Sequence, residues 1–292
     1  MRGNPESHEF VSCSSLAQVL AHLAETPGEW TPIAGGTEIM VANAAGRLQP
    51  SKLINLWGLP ELGGIHVSGN ALFIGGGVTF GEIRSNAAIQ QHFPLLAKAA
   101  SWIGSIANQN RATIAGNIVN GSPAADAPPA LLVYDAAITL ISQRGRRTIP
   151  YQAFHTGYKT NVLQPDELVY SIFLPIRFGK HAQYLRKVGT RRAMAITKVG
   201  LAGTALIEDG ILKELRLSGV SVADRPVRLT QTENSLLGQP LNAETKKLAI
   251  ACLLDEVKPI DDIRSNADYR RQVAANLLAE FLDELTAKES QS

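Results

Sequence analysis

The stretch that decides the fold runs from Arg111 to Asp126 and reads RATIAGNIVNGSPAAD. It contains the glycine turn Thr113-Ile114-Ala115-Gly116-Asn117, and a second glycine turn, Ala34-Gly35-Gly36-Thr37-Glu38, lies near the amino terminus. Each turn joins an apolar stretch to a helix-prone one, and glycine there lets backbone N–H groups approach an anion with no Cβ in the way. One such turn is weak evidence, because turns need glycine anyway. The pair predicts two loops that close on one diphosphate.

Length, composition and charge narrow the class of protein. The 292 residues can form two domains, and 45% hydrophobic with 18% charged residues is typical of a chain that folds. A net charge of +2 argues against a nucleic-acid partner. The basic run Arg144-Gly145-Arg146-Arg147 is interpreted as a solvated hairpin tip. No membrane span is expected, and the polar start, Met1 to Glu9, has no signal region, so we expect a cytoplasmic protein.

The residues that could carry chemistry are few. With only Cys13 and Cys252, no iron–sulfur cluster or cysteine-rich zinc site can be built from this chain, so any such centre must lie on a partner. The histidines have no metal-ligand spacing and are interpreted as surface or turn residues. No serine or cysteine stands in a nucleophile-elbow context. We therefore expect neither a metal ligand nor a catalytic acid, base or nucleophile.

The hydrophobic periodicity predicts a mixed α+β chain. The predicted helices cover residues 16–25, 38–45, 80–103 with a break near Pro94, 126–134, 243–255 and 268–286. The predicted strands cover residues 30–33, 52–56, a hairpin at 65–75, a second hairpin at 137–142 and 147–149, then 168–174, 183–188, 199–207 and 212–222. Because strands precede helices after residue 178, a separate α+β domain is expected there.

Six motifs in register carry a resemblance that covers nearly the whole chain. They are AGGTE at 34–38, RATIAGNI at 111–118, SPAAD at 122–126, FHTGYKT at 154–160, DELV at 166–169 and RRAMAI at 191–196. The succession resembles the FAD-binding medium subunit of the xanthine dehydrogenase family of molybdenum hydroxylases, most closely the xanthine dehydrogenase branch. It implies a two-subdomain FAD-binding domain of the vanillyl-alcohol-oxidase/PCMH type at residues 1–177, divided near residue 58. A smaller C-terminal domain, with an antiparallel sheet and helices, would follow at 178–292.

The resemblance also implies which residues contact FAD. The expected contacts are Thr31, Pro32, Ile33, Ala34, Gly35, Gly36, Thr37, Glu38, Ile103, Thr113, Ile114, Ala115, Gly116, Asn117, Ser122, Asp126, Leu168, Val169 and Lys187. The two loops would hold the diphosphate, Asp126 would accept a hydrogen bond from a ribityl or ribose hydroxyl with Ser122 beside it, and Lys187 would favour the reduced, anionic flavin. Ile103 would lie near the isoalloxazine, and Leu168 and Val169 would flank the ring system or the adenine.

Partners and reaction follow from the same resemblance. A large subunit would carry the molybdopterin cofactor and a small subunit two [2Fe–2S] clusters, from which this chain would take electrons for NAD or another acceptor. A dimer of heterotrimers is the usual assembly. Animal relatives have acidic residues where this chain has Ala193-Met194-Ala195, so quinone, ferredoxin and oxygen stay open as acceptors.

Other interpretations of the same residues stay open. Thr37 and Thr113 are also suited to helix N-caps, and Lys187 to a solvated strand position. Ile103, Leu168 and Val169 are core residues by pattern alone. A stand-alone FAD oxidoreductase of the same fold, acting on its own small substrate, is the nearest alternative. A flavin-free scaffold is a further one, opposed by the intact glycine pairs, and an NTPase is opposed by the missing G-x-x-x-x-G-K-[ST] pattern.

Overall fold

The computed structural model describes residues 8–48 and 52–289, and the first seven residues of the predicted polar start lie outside these ranges. The strands are β1 Glu9–Ser12, β2 Trp30–Ile33, β3 Lys52–Asn55, β4 Ile65–Ser68, β5 Ala71–Gly75, β6 Ala137–Ser142, β7 Gly145–Pro150, β8 His155–Gly157, β9 Thr160–Asn161, β10 Leu168–Pro175, β11 Ala182–Val188, β12 Val199–Glu208, β13 Ile211–Val220 and β14 Val227–Arg228. The helices are α1 Leu16–Glu25, α2 Ile39–Ala44, α3 Phe80–Ser85, α4 Ala87–His92, α5 Pro94–Trp102, α6 Ile106–Gln109, α7 Ile114–Asn120, α8 Ala127–Val133, α9 Thr230–Leu236, α10 Ala243–Glu256 and α11 Ala267–Glu289.

A small parallel sheet of order β1-β3-β2 begins the fold, with α1 packed beside it. The buried side of α1 follows from leucine and valine at helical spacing. Ser15 caps the helix by accepting a hydrogen bond from the Gln18 N–H, but Gln18 Oε1 accepts from the N–H of Ser14 and not from that of Ser15. Only one of the two hydrogen bonds of a capping box is therefore present.

A five-stranded antiparallel sheet of order β4-β5-β10-β6-β7 forms the centre of the first half. Its buried side chains and those of α3, α5 and α8 form one apolar core. The expected long helix at 80–103 is broken twice, at Pro94 and also at Asn86. Asn86 has extended backbone and accepts a hydrogen bond from the N–H of Ile89, so it ends α3 and caps α4.

The second half has a four-stranded antiparallel sheet of order β11-β12-β13-β14, and α10 and α11 follow it. Phe281 of α11 packs against Tyr184, with ring centroids 5.0 Å apart, and against Gly203, where a Cβ would lie 2.4 Å from the Phe281 ring. The strands-then-helices order was predicted, whereas β1, β14 and α9 were not. Among residues 8–48 and 52–289, no helix combines the length and the apolar character needed to cross a bilayer.

The two halves are joined around α8, whose seven residues are all buried. Asp135, just beyond its carboxyl end, accepts hydrogen bonds from Arg177, Arg216 and Arg228. Arg228 is held in turn by both carboxylate oxygens of buried Glu233, at 2.6 Å each. Leu185 and Ala202 of the second half also lie in the core of the first. The domain division at residues 177 and 178 stays a prediction.

The basic hairpin tip between β6 and β7 is exposed at residues 143–148, which agrees with its interpretation as a solvated turn, and its arginines also have partners. Arg144 pairs with Asp166, Arg147 makes two hydrogen bonds to Glu167, and the Arg146 guanidinium lies 4.0 Å from the centre of the Tyr170 ring. The acidic partners are among the residues of the DELV motif. Because each arginine has a partner on or before β10, the turn is a fixed part of the sheet edge.

Replacing Glu233 with glutamine tests the arginine network. Glu233 also accepts from the N–H of Leu217 at 2.7 Å, so the substitution keeps the shape but removes the charge opposite buried Arg228. We expect the free energy of unfolding in urea to fall by about 2 to 4 kcal/mol. Glu29→Gln, which breaks an exposed pair with Lys52, is the matched control and should cost less than about 1 kcal/mol. Equal losses of unfolding free energy in the two variants would show that the Glu233–Arg228 pair stabilises the fold no more than an exposed pair does.

Candidate functional site

The two predicted glycine loops meet in the structure. A Cβ on Gly35 would lie 1.6 Å from the carbonyl oxygen of Arg111, a distance that no side chain tolerates. Gly36 next to it has a φ of +75°, which favours glycine. Loop 1 (residues 34–38) therefore lies directly on the start of loop 2 (residues 113–117), and glycine is what permits this contact.

Loop 2 is held by its own backbone. The N–H groups of Ile114 and Ala115 donate to the carbonyls of Val78 and Gly76 at 2.9 and 3.1 Å, and the N–H of Gly116 donates to the Thr113 hydroxyl at 3.2 Å. Thr113 is therefore the N-cap of α7, the alternative role that the sequence allowed. The N–H of Asn117 donates to the Thr113 carbonyl at 3.0 Å, so four of the amides that the sequence assigned to an anion already have protein acceptors.

Loop 1 has the opposite character. In the described part of the chain, the N–H groups of Gly35, Gly36, Thr37 and Glu38 donate to no protein acceptor. Glu38 gives α2 no side-chain cap, and its carboxylate lies 3.4 Å from the Lys159 ammonium. At the neighbouring loop, the Oδ1 atom of Asn117 is buried without a hydrogen-bond partner. These free donors and this orphaned acceptor are what a polar ligand would pair with.

Arg111 adds a positive charge at the junction of the loops. Its guanidinium stacks on the Trp57 ring, 3.8 Å from the ring centroid, and its Nε donates weakly to the Gly35 carbonyl at 3.4 Å. A cavity of about 700 Å³ lies beside the junction, with Ala34, Trp57 and Thr113 in its wall. Arg111 was not predicted as a site residue, although its position two residues before loop 2 was the available signal.

Asp126 and Lys187 were each expected to contact a cofactor, and the structure pairs them with each other. Lys187 Nζ lies 2.7 Å from Asp126 Oδ2, and the Thr197 hydroxyl donates to Asp126 Oδ1 at 2.5 Å. Burial raises the pKa of Asp126, while Lys187 and Thr197 act to lower it. Their contact with a cofactor stays a prediction. Thr197 was missed, because nothing in the sequence marks a contact over 71 positions.

The other predicted residues are distributed around these two groups. Ile103 is half-buried after α5, beside Trp102, whose ring centre is 6.0 Å from Lys187 Nζ. Leu168 and Val169 are buried in β10, and a Cβ on Gly76 would lie 2.3 Å from the Val169 carbonyl oxygen. Ser122 accepts from the N–H of Ala124 at 3.3 Å. Within the described residues, no direct hydrogen bond joins loops 1 and 2 to Asp126 or Lys187.

One histidine contradicts its interpretation as a surface or turn residue, because His155 is buried in β8. His181 is also buried but lies in a turn, where its N–H donates to the carbonyl of Phe178 at 3.1 Å. The Nε2 atom of His155 lies 3.1 Å from the Tyr151 hydroxyl, while its Nδ1 atom has no partner. Burial, assisted by the charge of Arg225, lowers the pKa of His155 to about 4. Burial also lowers the pKa of His181, against the opposing effect of Glu214. In residues 8–48 and 52–289, no group of three or more His, Cys, Asp or Glu side chains could hold a metal ion.

Both halves of the chain match families of known proteins. Residues 6–177 match the family described as FAD binding domain in molybdopterin dehydrogenase, and residues 184–285 match the CO dehydrogenase flavoprotein C-terminal domain. The xanthine dehydrogenase FAD-binding subunit of Escherichia coli O157:H7 is 30% identical over 276 residues, 94% of each chain. The carbon monoxide dehydrogenase medium chain of Hydrogenophaga pseudoflava is 26% identical and covers 97% of this chain and 99% of its own. A solved carbon monoxide dehydrogenase from that organism, which lacks the Mo-pyranopterin moiety of the molybdenum cofactor, superposes with a TM-score of 0.90 at 27% identity, covering 94% and 96%.

The low pKa of His155 predicts a specific loss of stability in acid. The pKa in the folded protein, about 4, lies below the ordinary 6.5, so between these values the unfolded chain binds a proton that the folded protein rejects. Stability is therefore lost as the pH falls through this window. In His155→Phe, we expect the free energy of unfolding, measured in urea, to fall less steeply, by up to about 1.4 kcal/mol per pH unit. His66→Phe, at an exposed histidine, should leave the wild-type slope unchanged, and parallel slopes for wild type and His155→Phe would refute the prediction.

Proposed function

This chain belongs to the FAD-binding medium subunits of the xanthine dehydrogenase and carbon monoxide dehydrogenase family, and from that premise we propose that it carries electrons from [2Fe–2S] clusters on a partner to NAD or another acceptor. It is an FAD-dependent oxidoreductase subunit. The observation that carries the proposal is the row of free N–H groups at Gly35, Gly36, Thr37 and Glu38, packed against loop 2.

The residues present fit a diphosphate. Loop 1 offers backbone donors with no competing protein acceptor, and glycine at position 35 lets the loop pack directly on the Arg111 backbone. Arg111 brings a cation within reach of loop 1, and its stacking on Trp57 holds the guanidinium plane in place. The buried Oδ1 atom of Asn117 can accept a hydrogen bond from a ligand hydroxyl or amine.

The remaining predicted contacts would hold the cofactor in different ways. When bound, FAD exchanges electrons singly with a cluster and releases them to an acceptor as a hydride. Ile103, Leu168 and Val169 supply apolar surface, and Ser122 supplies a hydroxyl. The Asp126–Lys187 pair brings both charges to the site while keeping its net charge near zero. If the chain divides into residues 1–177 and 178–292, as we propose, this pair joins the two domains.

The electron path requires partner chains. Two cysteines are too few for an iron–sulfur cluster, so the donor clusters belong to a small subunit and the molybdopterin to a large one. The relatives named as medium chains support this arrangement. A dimer of such heterotrimers in the cytoplasm is the assembly we propose. This chain then contributes no group to substrate hydroxylation, in agreement with the lack of a candidate acid, base or nucleophile in its sequence.

Replacing Gly36 with aspartate tests the diphosphate site. Asp and Asn both tolerate the positive φ of +75°, and a Cβ there meets the flexible Met40 side chain at 3.2 Å and the end of the Ile33 side chain at 3.8 Å. Gly36→Asn is therefore a matched control that differs only in charge. We expect purified wild-type chain to show flavin absorbance and to release about one FAD per chain. The dissociation constant of FAD, measured by fluorescence titration, should be at least about tenfold higher for Gly36→Asp than for Gly36→Asn.

Three results would separate the interpretations. A folded wild-type chain that takes up no FAD, alone or with its partner subunits, would overturn the cofactor assignment. Equal affinities of the aspartate and asparagine variants would place the diphosphate elsewhere. Oxidation of a small substrate by the isolated flavoprotein would favour a stand-alone oxidoreductase.

Electron delivery is tested in the assembled complex. After stoichiometric reduction with dithionite, we expect the clusters and flavin of the wild-type complex to be reoxidised by NAD, a soluble quinone or oxygen. In the complex with Gly36→Asp, the clusters should still be reduced, but their reoxidation by the same acceptor should be at least about tenfold slower at FAD concentrations that saturate only the wild type. Unchanged reoxidation would show that the electrons bypass this chain.

A further inference from the structure

The segment between β11 and β12 is an exposed loop with a fixed base. We call residues 189–196 the 189–196 loop. The side chains of Arg191, Arg192, Met194 and Ile196 are exposed, and the loop is ordered by hydrogen bonds from the Arg191 guanidinium to the carbonyls of Ala193 and Met194. At its base, the N–H of Lys198 donates to the carbonyl of Val188 at 2.9 Å. The loop therefore leaves and re-enters the sheet at one fixed point.

Both ends of this loop contact the same carboxylate. Lys187, two residues before the loop, lies 2.7 Å from Asp126 Oδ2, and Thr197, the residue directly after it, donates to Asp126 Oδ1 at 2.5 Å. The side chains of Asp126 and Lys187 are almost completely shielded from solvent, and Thr197 is fully buried. Because hydrogen bonds to a buried charge are stronger than neutral ones, each oxygen of Asp126 holds one end of the loop firmly.

A second set of hydrogen bonds ties Thr197 to the chain around Asp126. The carbonyl of Thr197 accepts from the Ser221 hydroxyl at 3.1 Å, and the N–H of Ser221 donates to the carbonyl of Pro123 at 2.9 Å. Pro123 lies three residues before Asp126, so the contacts close a ring that passes through both halves of the molecule. Ser221 has a φ of +57°, a costly conformation for a residue with a side chain.

We propose that Thr197 is a positioning residue: with Lys187 it fastens both ends of the 189–196 loop to the two oxygens of Asp126, and so holds the loop in register with the segment 122–126. The importance of this register for a cofactor rests on the proposed function, whereas the anchoring does not. The hydroxyl is the part of the Thr197 side chain that makes the hydrogen bond, so we expect the hydroxyl and not the methyl group to hold the loop.

Two substitutions separate the hydroxyl from the volume of the side chain. Thr197→Val keeps the shape and removes the donor, while Thr197→Ser keeps the donor and loses the methyl group. Trypsin cleaves after exposed arginine, and Arg191 and Arg192 place its sites within the loop. In limited trypsin digestion of the full chain, mapped by mass spectrometry, we expect cleavage at these arginines to be about tenfold faster in Thr197→Val, with Thr197→Ser close to wild type.

Cleavage elsewhere in the chain is the internal control, because global unfolding would accelerate every site together. Asp126→Ala should release the loop as Thr197→Val does, and the double variant should be cleaved no faster than Asp126→Ala alone, since the hydroxyl then has no acceptor on residue 126. The reverse order, with valine like wild type and serine loosened, would show that Thr197 only fills space and would overturn the proposal. Additive effects in the double variant would overturn it as well.

The effect of the same substitutions on FAD binding is measured separately. With FAD present, we expect the dissociation constant to rise about fivefold in Thr197→Val and to stay within about twofold of wild type in Thr197→Ser. If Thr197→Val loosens the loop but binds FAD as wild type does, the loop is anchored without being coupled to the cofactor, and that part of the proposal is wrong. If the wild type binds no FAD, the proposed function fails, while the trypsin order still decides the anchoring.

Discussion

The contact that the site depends on is the backbone approach of Gly35 to the carbonyl of Arg111. The two loops belong to different sheets. Loop 1 continues from the edge strand β2 of the three-stranded sheet, whereas loop 2 is hydrogen-bonded to the backbone that follows β5 of the five-stranded sheet. With a hypothetical Cβ at 1.6 Å, any side chain at position 35 would push loop 1 away from the Arg111 backbone. The close approach puts the free donors of loop 1, the guanidinium of Arg111 and the orphaned oxygen of Asn117 in one region. Position 35 therefore requires glycine for the packing of the two loops, whether or not a ligand is bound.

Helix α8 is the second element on which the arrangement depends. A carboxylate lies at each of its ends, and each carboxylate pairs with cationic side chains from beyond residue 175. Asp126, at the amino end, is favoured there by the helix dipole and pairs with Lys187. Asp135, at the carboxyl end, is opposed by the dipole, and three guanidinium groups surround it. The buried helix thus connects the halves through apolar packing along its length and through charge at its ends. Such pairs cost desolvation energy and fix a specific arrangement in return.

Most elements of the fold could be predicted from the sequence, because periodicity and turn residues act locally. The α+β class, the FAD-binding fold with its following domain, and the strands-then-helices order are confirmed. The break at Asn86 was missed because asparagine is compatible both with a helix and with its cap, and α9 because TQTENSL has no apolar repeat. In the site, glycine turns could be recognised one by one. The pairing of Asp126 with Lys187 and Thr197 could not, since it joins positions 61 and 71 residues apart and the sequence gives no partner for a charge.

The two glycine loops also show why similar motifs need not do similar work. Loop 1 follows a strand at the edge of its sheet, so its N–H groups have no neighbouring strand to pair with and are left for a ligand. Loop 2 lies against Val78 and Gly76, whose carbonyls accept from the N–H groups of Ile114 and Ala115. The hydroxyl and the carbonyl of Thr113 accept from the N–H groups of Gly116 and Asn117. A count of glycines assigns both loops the same role. The distribution of backbone donors supports our proposal that loop 1 binds the cofactor and that loop 2 supports loop 1, because an amide that already has a good acceptor gains little from an anion, whereas an unpaired one gains a full hydrogen bond.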